Sequence, residues 1–265
     1  MTIPSSHWCC LSPRWSSATG GHTTPAGATE THATPPHGVR ATVTAEPLHP
    51  VVVLDLDGTL VDSVYEHVAA WHAAFHDVGL HVSAVRVHEA IGMGGDRLVA
   101  HVSGDPAEAA VGDDVRELHD KYFRAGLRTV CGLDGASELV EALVGTGHRV
   151  VVASSSEADL VDEMLDLLDV RRHLAAVVTG SDGAATKPAP DMVQLAIEQA
   201  GGGKAIVVGD AVWDALSAEA ADVPCIGVRS GGIGAERLRT AGASWVYDGP
   251  RDLLARLEDS PLRSR

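Results

Sequence analysis

Basic residues are scarce in this chain. Lys and Arg total 20 against 36 Asp and Glu in 265 residues, a formal charge of -16. No Lys or Arg cluster stands ready to neutralise a run of phosphates, which argues against nucleic acid or an anionic membrane as partners. The same acidity suits a protein that holds a divalent cation. Cysteine is sparse too: Cys9, Cys10, Cys131 and Cys225 show neither C-x-x-C spacing nor disulfide-rich density. That pattern speaks against zinc and for a reducing compartment. Apolar runs long enough to span a bilayer are missing, and the first residues lack the basic start and apolar centre of a secretory signal. The expectation is a soluble, cytoplasmic protein. Its 45% hydrophobic content is enough for one large α/β domain, or for a core with a smaller insertion.

Residues 1–48 are rich in Ser, Thr, Pro, Gly, Ala and His, and carry only Arg14, Glu30, Arg40 and Glu46 as charges. A segment of this kind buries too little apolar surface to offset its ordering entropy, so it is predicted to be a disordered tail. Its histidines, His7, His22, His32, His37 and the neighbouring His49, are too irregularly spaced for a metal site. A native start near Val43 or Val51 would still leave a complete domain.

The chain is organised around His49 to Ser63, HPVVVLDLDGTLVDS. Val51, Val52, Val53, Leu54 and Leu56 do not alternate with polar residues, which predicts a strand covered on both faces, as in a parallel sheet. Asp55 and Asp57 then lie at its carboxyl end, where open α/β sheets bind ligands. The plain alternative is that D-x-D-G only starts a turn. Ser63 and Glu66 next form an S-x-x-E capping box, followed by Val64, Val68, Trp71, Phe75 and Val78 at helical spacing. His72 and His76 fit solvated or packed positions on that helix. A short helix near 85–91 leads to the glycine-rich I-G-M-G-G-D-R. Asp105, Pro106 and Glu108 then predict an N-cap and first turn, and Val111, Val115, Leu118 and Tyr122 line one face of a long helix. Residues 67–130 therefore read as a helical bundle inserted after the first strand.

From Gly135 the rhythm becomes helix and strand in alternation. Strands are predicted at 149–153, 175–179, 205–209, 224–228 and 245–247, with helices starting near Glu157, Pro190, Asp214 and Ala235. Alternation of this kind implies βαβ units and a mostly parallel sheet.

Four polar clusters fall at the ends of strands: Asp55 with Asp57, Ser154, Lys187, and Asp210 with Asp214. Each has an ordinary explanation. Ser154 and Glu157 could be a capping box, Lys187 a surface lysine and Asp210 a helix cap. Placed together at one sheet edge, they supply a nucleophile, a metal site, a hydroxyl donor and a fixed cation, an inventory suited to phosphoryl transfer.

The ordered motifs D-L-D-G-T-L-V-D-S, the strand-ending Ser154, K-P-A-P-D and G-D-x-x-x-D resemble those of the haloacid dehalogenase-like hydrolases over roughly residues 50–257. The resemblance implies an α/β fold: a Rossmann-like three-layer core with a parallel sheet (49–66 and 131–258), an inserted all-helical cap (67–130) and a C-terminal tail (259–265). It implies Mg2+ held by Asp55, the backbone carbonyl of Asp57, and Asp210. Asp55 would be the nucleophile that forms an aspartyl-phosphate, and Asp57 the acid and then the base. Ser154 and Lys187 would hold the phosphoryl group, with Asp214 behind them. A carboxylate attacking a phosphate dianion needs such cations to overcome charge repulsion.

Hydrolytic dehalogenases of this family lack the second acid of the first motif, so the presence of Asp57 disfavours dehalogenation. His67 and Trp71 stand where the β-phosphoglucomutase-like branch has His and Trp, but Gly95 and Glu157 stand where that branch has basic residues. The expected activity is hydrolysis of small soluble phosphomonoesters, as in the phosphoglycolate phosphatase branch. Arg97 is a candidate partner for a substrate carboxylate, or a solvated helix residue. A sugar-phosphate mutase and a non-catalytic phosphometabolite sensor are the alternatives, and the oligomeric state is open.

Overall fold

In a computed structural model of the chain, residues 49–263 are described. The predicted disorder of 1–48 and its histidines other than His49 lie outside them. Strand β1 (Val51–Leu54) is wholly buried, with no residue more than 1% exposed. After the Asp55–Leu60 turn, the short β2 (Val61–Asp62) leads into four successive helices: α1 (Val64–Asp77), α2 (Ala84–Ala90), α3 (Gly95–Ser103) and α4 (Asp105–Gly126). The chain returns through β3 (Cys131–Gly132), which pairs antiparallel with β2 and closes the neck of the insertion. Sequence patterning gave no sign of this two-residue pairing, because a strand that short has no period to read.

The remainder alternates: α5 (Ala136–Gly145), β4 (Arg149–Ala153), α6 (Ala158–Leu168), β5 (Ala176–Val178), α7 (Asp191–Gln199), β6 (Ala205–Gly209), α8 (Val212–Ala220), β7 (Cys225–Val228), α9 (Ala235–Thr240), β8 (Ala243–Tyr247) and α10 (Pro250–Ala255). The six longer strands form one parallel sheet in the order β5-β4-β1-β6-β7-β8. Strand order reverses on either side of β1, so the crevice at its carboxyl end is the topological switch point.

Successive β1 side chains face opposite ways. Val52 and Leu54 join a cluster with Leu139 and Leu143 of α5, Leu160 and Met164 of α6, and Leu253 of α10. Val51 and Val53 join the opposite cluster, with Met192 and Val193 of α7, Ala215 and Ala218 of α8, and Leu238 of α9. The expected three-layer α/β architecture is therefore present. The inserted helices have a third cluster of their own, built on Val68, Trp71, Phe75, Val87, Leu98 and Val115.

Several local expectations change. The Ser63–Glu66 capping box does not form, because Ser63 makes no side-chain cap hydrogen bond and its hydroxyl turns towards Asp57 instead. Gly104, not Asp105, precedes α4, with Asp105 and Pro106 already in its first turn. Helix α1 runs unbroken through positions 66 and 67. The described part of 259–265 does not trail off: Ser260 is 3% exposed, and Leu262 is fully buried in the cluster under α5 and α10.

Candidate active site

The carboxyl edge of the sheet gathers residues far apart in the chain. Asp55 follows β1, Ser154 follows β4, Lys187 lies between β5 and α7, and Asp210 follows β6. Asp214 rises from the first turn of α8. All five are buried. The Lys187 ammonium donates to Asp55 Oδ1 and sits 2.8 Å from Asp214 Oδ1. It is thus neither a surface lysine nor a long-range counter-ion, but the positive centre of the site. Asp214 is fixed from its other oxygen by the Ala211 N–H at 3.0 Å. That cap is made by Asp214, so Asp210 is released from the ordinary capping role. The Asp210 Oδ1 accepts from the Thr59 hydroxyl at 3.2 Å.

Backbone shape decides how tightly Asp210 is held. Gly58 has φ +76, a conformation that costs least without a Cβ, and a Cβ there would fall 2.5 Å from Asp210 Oδ2. At Gly231 it would fall 1.6 Å from the same oxygen. Both glycines are sterically required, and Gly231 was not legible in the sequence because its reason lies 21 residues away.

Among the described residues, Asp55, Asp210 and Asp214 bring ligand oxygens within 4.8 Å of one another. Three buried carboxylates share the single ammonium of Lys187. Burial, reinforced by mutual repulsion, raises the Asp55 pKa to about 7 despite Lys187, and lifts Asp210 well above the usual carboxylate range. The Lys187 pKa is raised as well: burial opposes its charge, but Asp214 and Asp55 outweigh burial and hold it as an ammonium. A close set of hard oxygen donors with too few positive charges fits a divalent cation.

Asp57 sits two residues from Asp55 in a different environment. Its Oδ1 accepts from Ser63 at 2.6 Å and lies 3.0 Å from His67 Nε2, while Oδ2 accepts from the hydroxyls of Ser154 and Ser156, both at 3.2 Å. Burial alone would raise this acid, but the attraction of the His67 ring and the hydrogen bonds outweigh it and lower the pKa to about 2. Since a carboxylate only accepts, His67 Nε2 is the donor, and its Nδ1 faces His119 Nε2 at 3.0 Å. The pair is wedged between rings: His67 stacks on Phe123 at 3.7 Å, and His119 on Trp71 at 3.9 Å. Burial, with His67 nearby, holds the His119 pKa well below its ordinary value.

A cavity of about 720 Å³ opens above these acids, walled by the insertion on one side and by the loops after β4 and β5 on the other. Asp55, Asp57, His67 and Trp71 line it, as do Gly95 and Glu157. Ser155 and Ser156 reach the cavity, whereas the buried Ser154 hydroxyl is turned onto Asp57 and accepts the Ser156 N–H at 3.2 Å. Arg97 does not line it; that side chain is 43% exposed and lies 3.9 Å from Asp96. Arg116 lines it instead. The insertion is latched over the core by Thr186 donating to Asp96 at 2.6 Å and by Trp213 Nε1 donating to the Glu89 carbonyl at 3.0 Å.

A family profile described as haloacid dehalogenase-like hydrolase matches residues 49–222. The chain belongs to that family. Among related proteins of this hydrolase family, a phosphoglycolate phosphatase of Agrobacterium fabrum is 29% identical over 196 residues, 71% of this chain and 84% of its relative. A phosphoglycolate phosphatase of Yersinia pseudotuberculosis is 29% identical over 210 residues, 77% and 90% of the two chains. Among solved structures, a hydrolase from Pseudomonas syringae superposes with a TM-score of 0.75 at 32% identity, covering 79% of this chain and 98% of its own. Among the described residues, no helix of this hydrolase is long and apolar enough to cross a membrane.

Proposed function

We propose that this hydrolase is a magnesium-dependent phosphatase of small soluble phosphomonoesters, working in the cytoplasm through a phosphorylated Asp55. The observation that carries the reading is the contrast between the two acids of one turn: Asp55 touches Lys187, while Asp57 is surrounded by hydroxyls and an imidazole. Mg2+ would be held by Asp55, Asp210 and the Asp57 carbonyl, with Asp214 behind them, and would supply charge neutralisation at the phosphoryl oxygens.

Asp55 Oδ attacks phosphorus, forming the acyl-phosphate as the bond to the leaving alcohol breaks. Lys187 stabilises the charge shared by nucleophile and phosphoryl group. Asp57, hydrogen-bonded to His67 Nε2, passes a proton to the leaving oxygen and then recovers one from the water that cleaves the acyl-phosphate. Ser155 and Ser156, which line the cavity, hold the phosphoryl oxygens, with Ser154, engaged by Asp57 and the Ser156 N–H, fixing the loop behind them, and the insertion acts as a cap that excludes water. A mutase must hold a substrate with two phosphoryl groups. Gly95 and Glu157, both on the cavity wall, supply no positive charge for the second one.

The test is phosphate release from a panel of phosphomonoesters with and without Mg2+. Turnover that depends on the cation and disappears in Asp55→Asn supports the reading. Isomerisation of a sugar phosphate without net phosphate release would replace it with the mutase, and tight binding with no turnover with the sensor.

A further inference from the structure

Besides Asp55 and Asp57, the lining of the cavity carries four carboxylates and one guanidinium. Asp96 and Asp120 come from the insertion, and Glu157 and Asp191 from the core loops. The guanidinium is Arg116, and its donors are already engaged. Nη2 lies 2.8 Å from Glu108 Oε1 and 2.7 Å from Asp113 Oδ1, and Nη1 donates to the Gly95 carbonyl at 3.2 Å. Behind Asp120, Arg124 is divided among three acids: Asp120 at 2.9 Å, Asp159 at 2.6 Å and Glu163 at 3.6 Å. Lys187 belongs to Asp55 and Asp214. Among the described residues, Arg116 and Arg124 are thus held by acids, and Arg97 lies 3.9 Å from Asp96 with its side chain 43% exposed.

Asp120 is paired with Arg124, and Asp96 accepts from Thr186 beside Arg97, but the two acids of the core loops are undercompensated. Glu157 accepts only from the Ser181 hydroxyl, at 2.6 Å, and neither it nor Asp191 has a basic partner among the described residues.

We infer that this cavity selects phosphomonoesters whose leaving alcohol carries no negative charge, and favours one that carries a positive charge, such as an amino alcohol, over a carboxylated one. The inference rests on the phosphatase reading and departs from the substrate in the names of the relatives. A substrate carboxylate roughly 7 Å from one such acid, at an effective dielectric near 40, loses about tenfold in binding, and an ammonium gains as much.

The experiment compares kcat/KM of the Mg2+-loaded full chain for three two-carbon esters of similar size: phosphoglycolate, 2-hydroxyethyl phosphate and 2-aminoethyl phosphate, with p-nitrophenyl phosphate as a further substrate. Expected is a rise from carboxylate to hydroxyl to ammonium of at least about tenfold end to end, narrowing at about 0.5 M salt, where screening reaches only a few ångströms. In the double variant Glu157→Gln, Asp191→Asn the same ratio should fall several-fold; both residues are exposed, and Asp191→Lys provides a second variant that should invert the order. Phosphoglycolate as the best of the three, or a ratio unmoved by these substitutions, would overturn the inference while leaving the phosphatase intact. Hydrolysis of none of the four esters would overturn the phosphatase reading and the inference together.

Discussion

The floor and the roof of the cavity are built on opposite principles. The floor is a row of side chains at the ends of buried parallel strands. Asp55 and Lys187 are 6% and 3% exposed, and the Lys187 ammonium meets carboxylates delivered by two other segments, Asp55 and Asp214. The roof is a set of helices with their own apolar cluster, touching the floor through a few hydrogen bonds such as Thr186 to Asp96. Charge in the floor is concentrated around one ammonium, whereas charge in the roof is spread over exposed acids and shared arginines. In a buried floor, removing one partner leaves an uncompensated charge, while exposed pairs contribute little. On the proposed reading, chemistry depends on the floor, and selection among substrates on the acids that the roof and the core loops bring to the cavity wall.

Substitutions should separate the two. Asp55→Asn removes the proposed nucleophile and should lower kcat by at least about 10⁴-fold with little change in fold, read by phosphate release and circular dichroism. Lys187→Ala should lower kcat by about 100- to 1000-fold. It should also cost about 3–5 kcal/mol of stability, since Asp55 and Asp214 lose their ammonium. An unchanged melting temperature would remove the claim that this floor is electrostatically interdependent.

The pH dependence sharpens the same contrast. Asp55, with a pKa raised from 3.8 to about 7, binds its proton more tightly when folded. Its contribution to stability is present at low pH and is lost as pH rises through about 7. Protein treated with a chelator should thus melt lower at pH 8 than at pH 5.5, and Mg2+ should restore more at pH 8. Asp57, lowered from 3.8 to about 2, works with the opposite sign: its stabilisation is present above about pH 4 and lost as pH falls through about 2. His67→Asn should raise the Asp57 pKa, seen as an upward move in the acid limb of the pH profile.

The smallest effect is expected at the latch. Thr186→Val removes one hydrogen bond between floor and roof, worth about 1 kcal/mol. It should raise KM by roughly fivefold and leave kcat within about twofold. A larger loss in kcat would mean that the latch shapes the floor as well.

The sequence by itself determined the layered α/β fold and placed Asp55, Lys187, Asp210 and Asp214 at the carboxyl ends of its strands. Those features follow from local rules: uninterrupted apolar runs predict strands covered on both faces, and polar residues at their ends fall on one edge. Only the tertiary structure decided how those residues divide the work. Ser63 looked like a helix cap because its neighbours in sequence offered that partner, but the fold presented Asp57 instead. His119, Gly231 and Arg116 had no local pattern to betray them, since their partners come from other elements. Arg97, two residues past Gly95 in the glycine-rich turn, looked suited to the cavity, yet the helix turned it to solvent. The charge of the cavity wall depends on which acids the insertion and core loops bring face to face, and on which arginines are already engaged. Spacing along a chain carries no record of either.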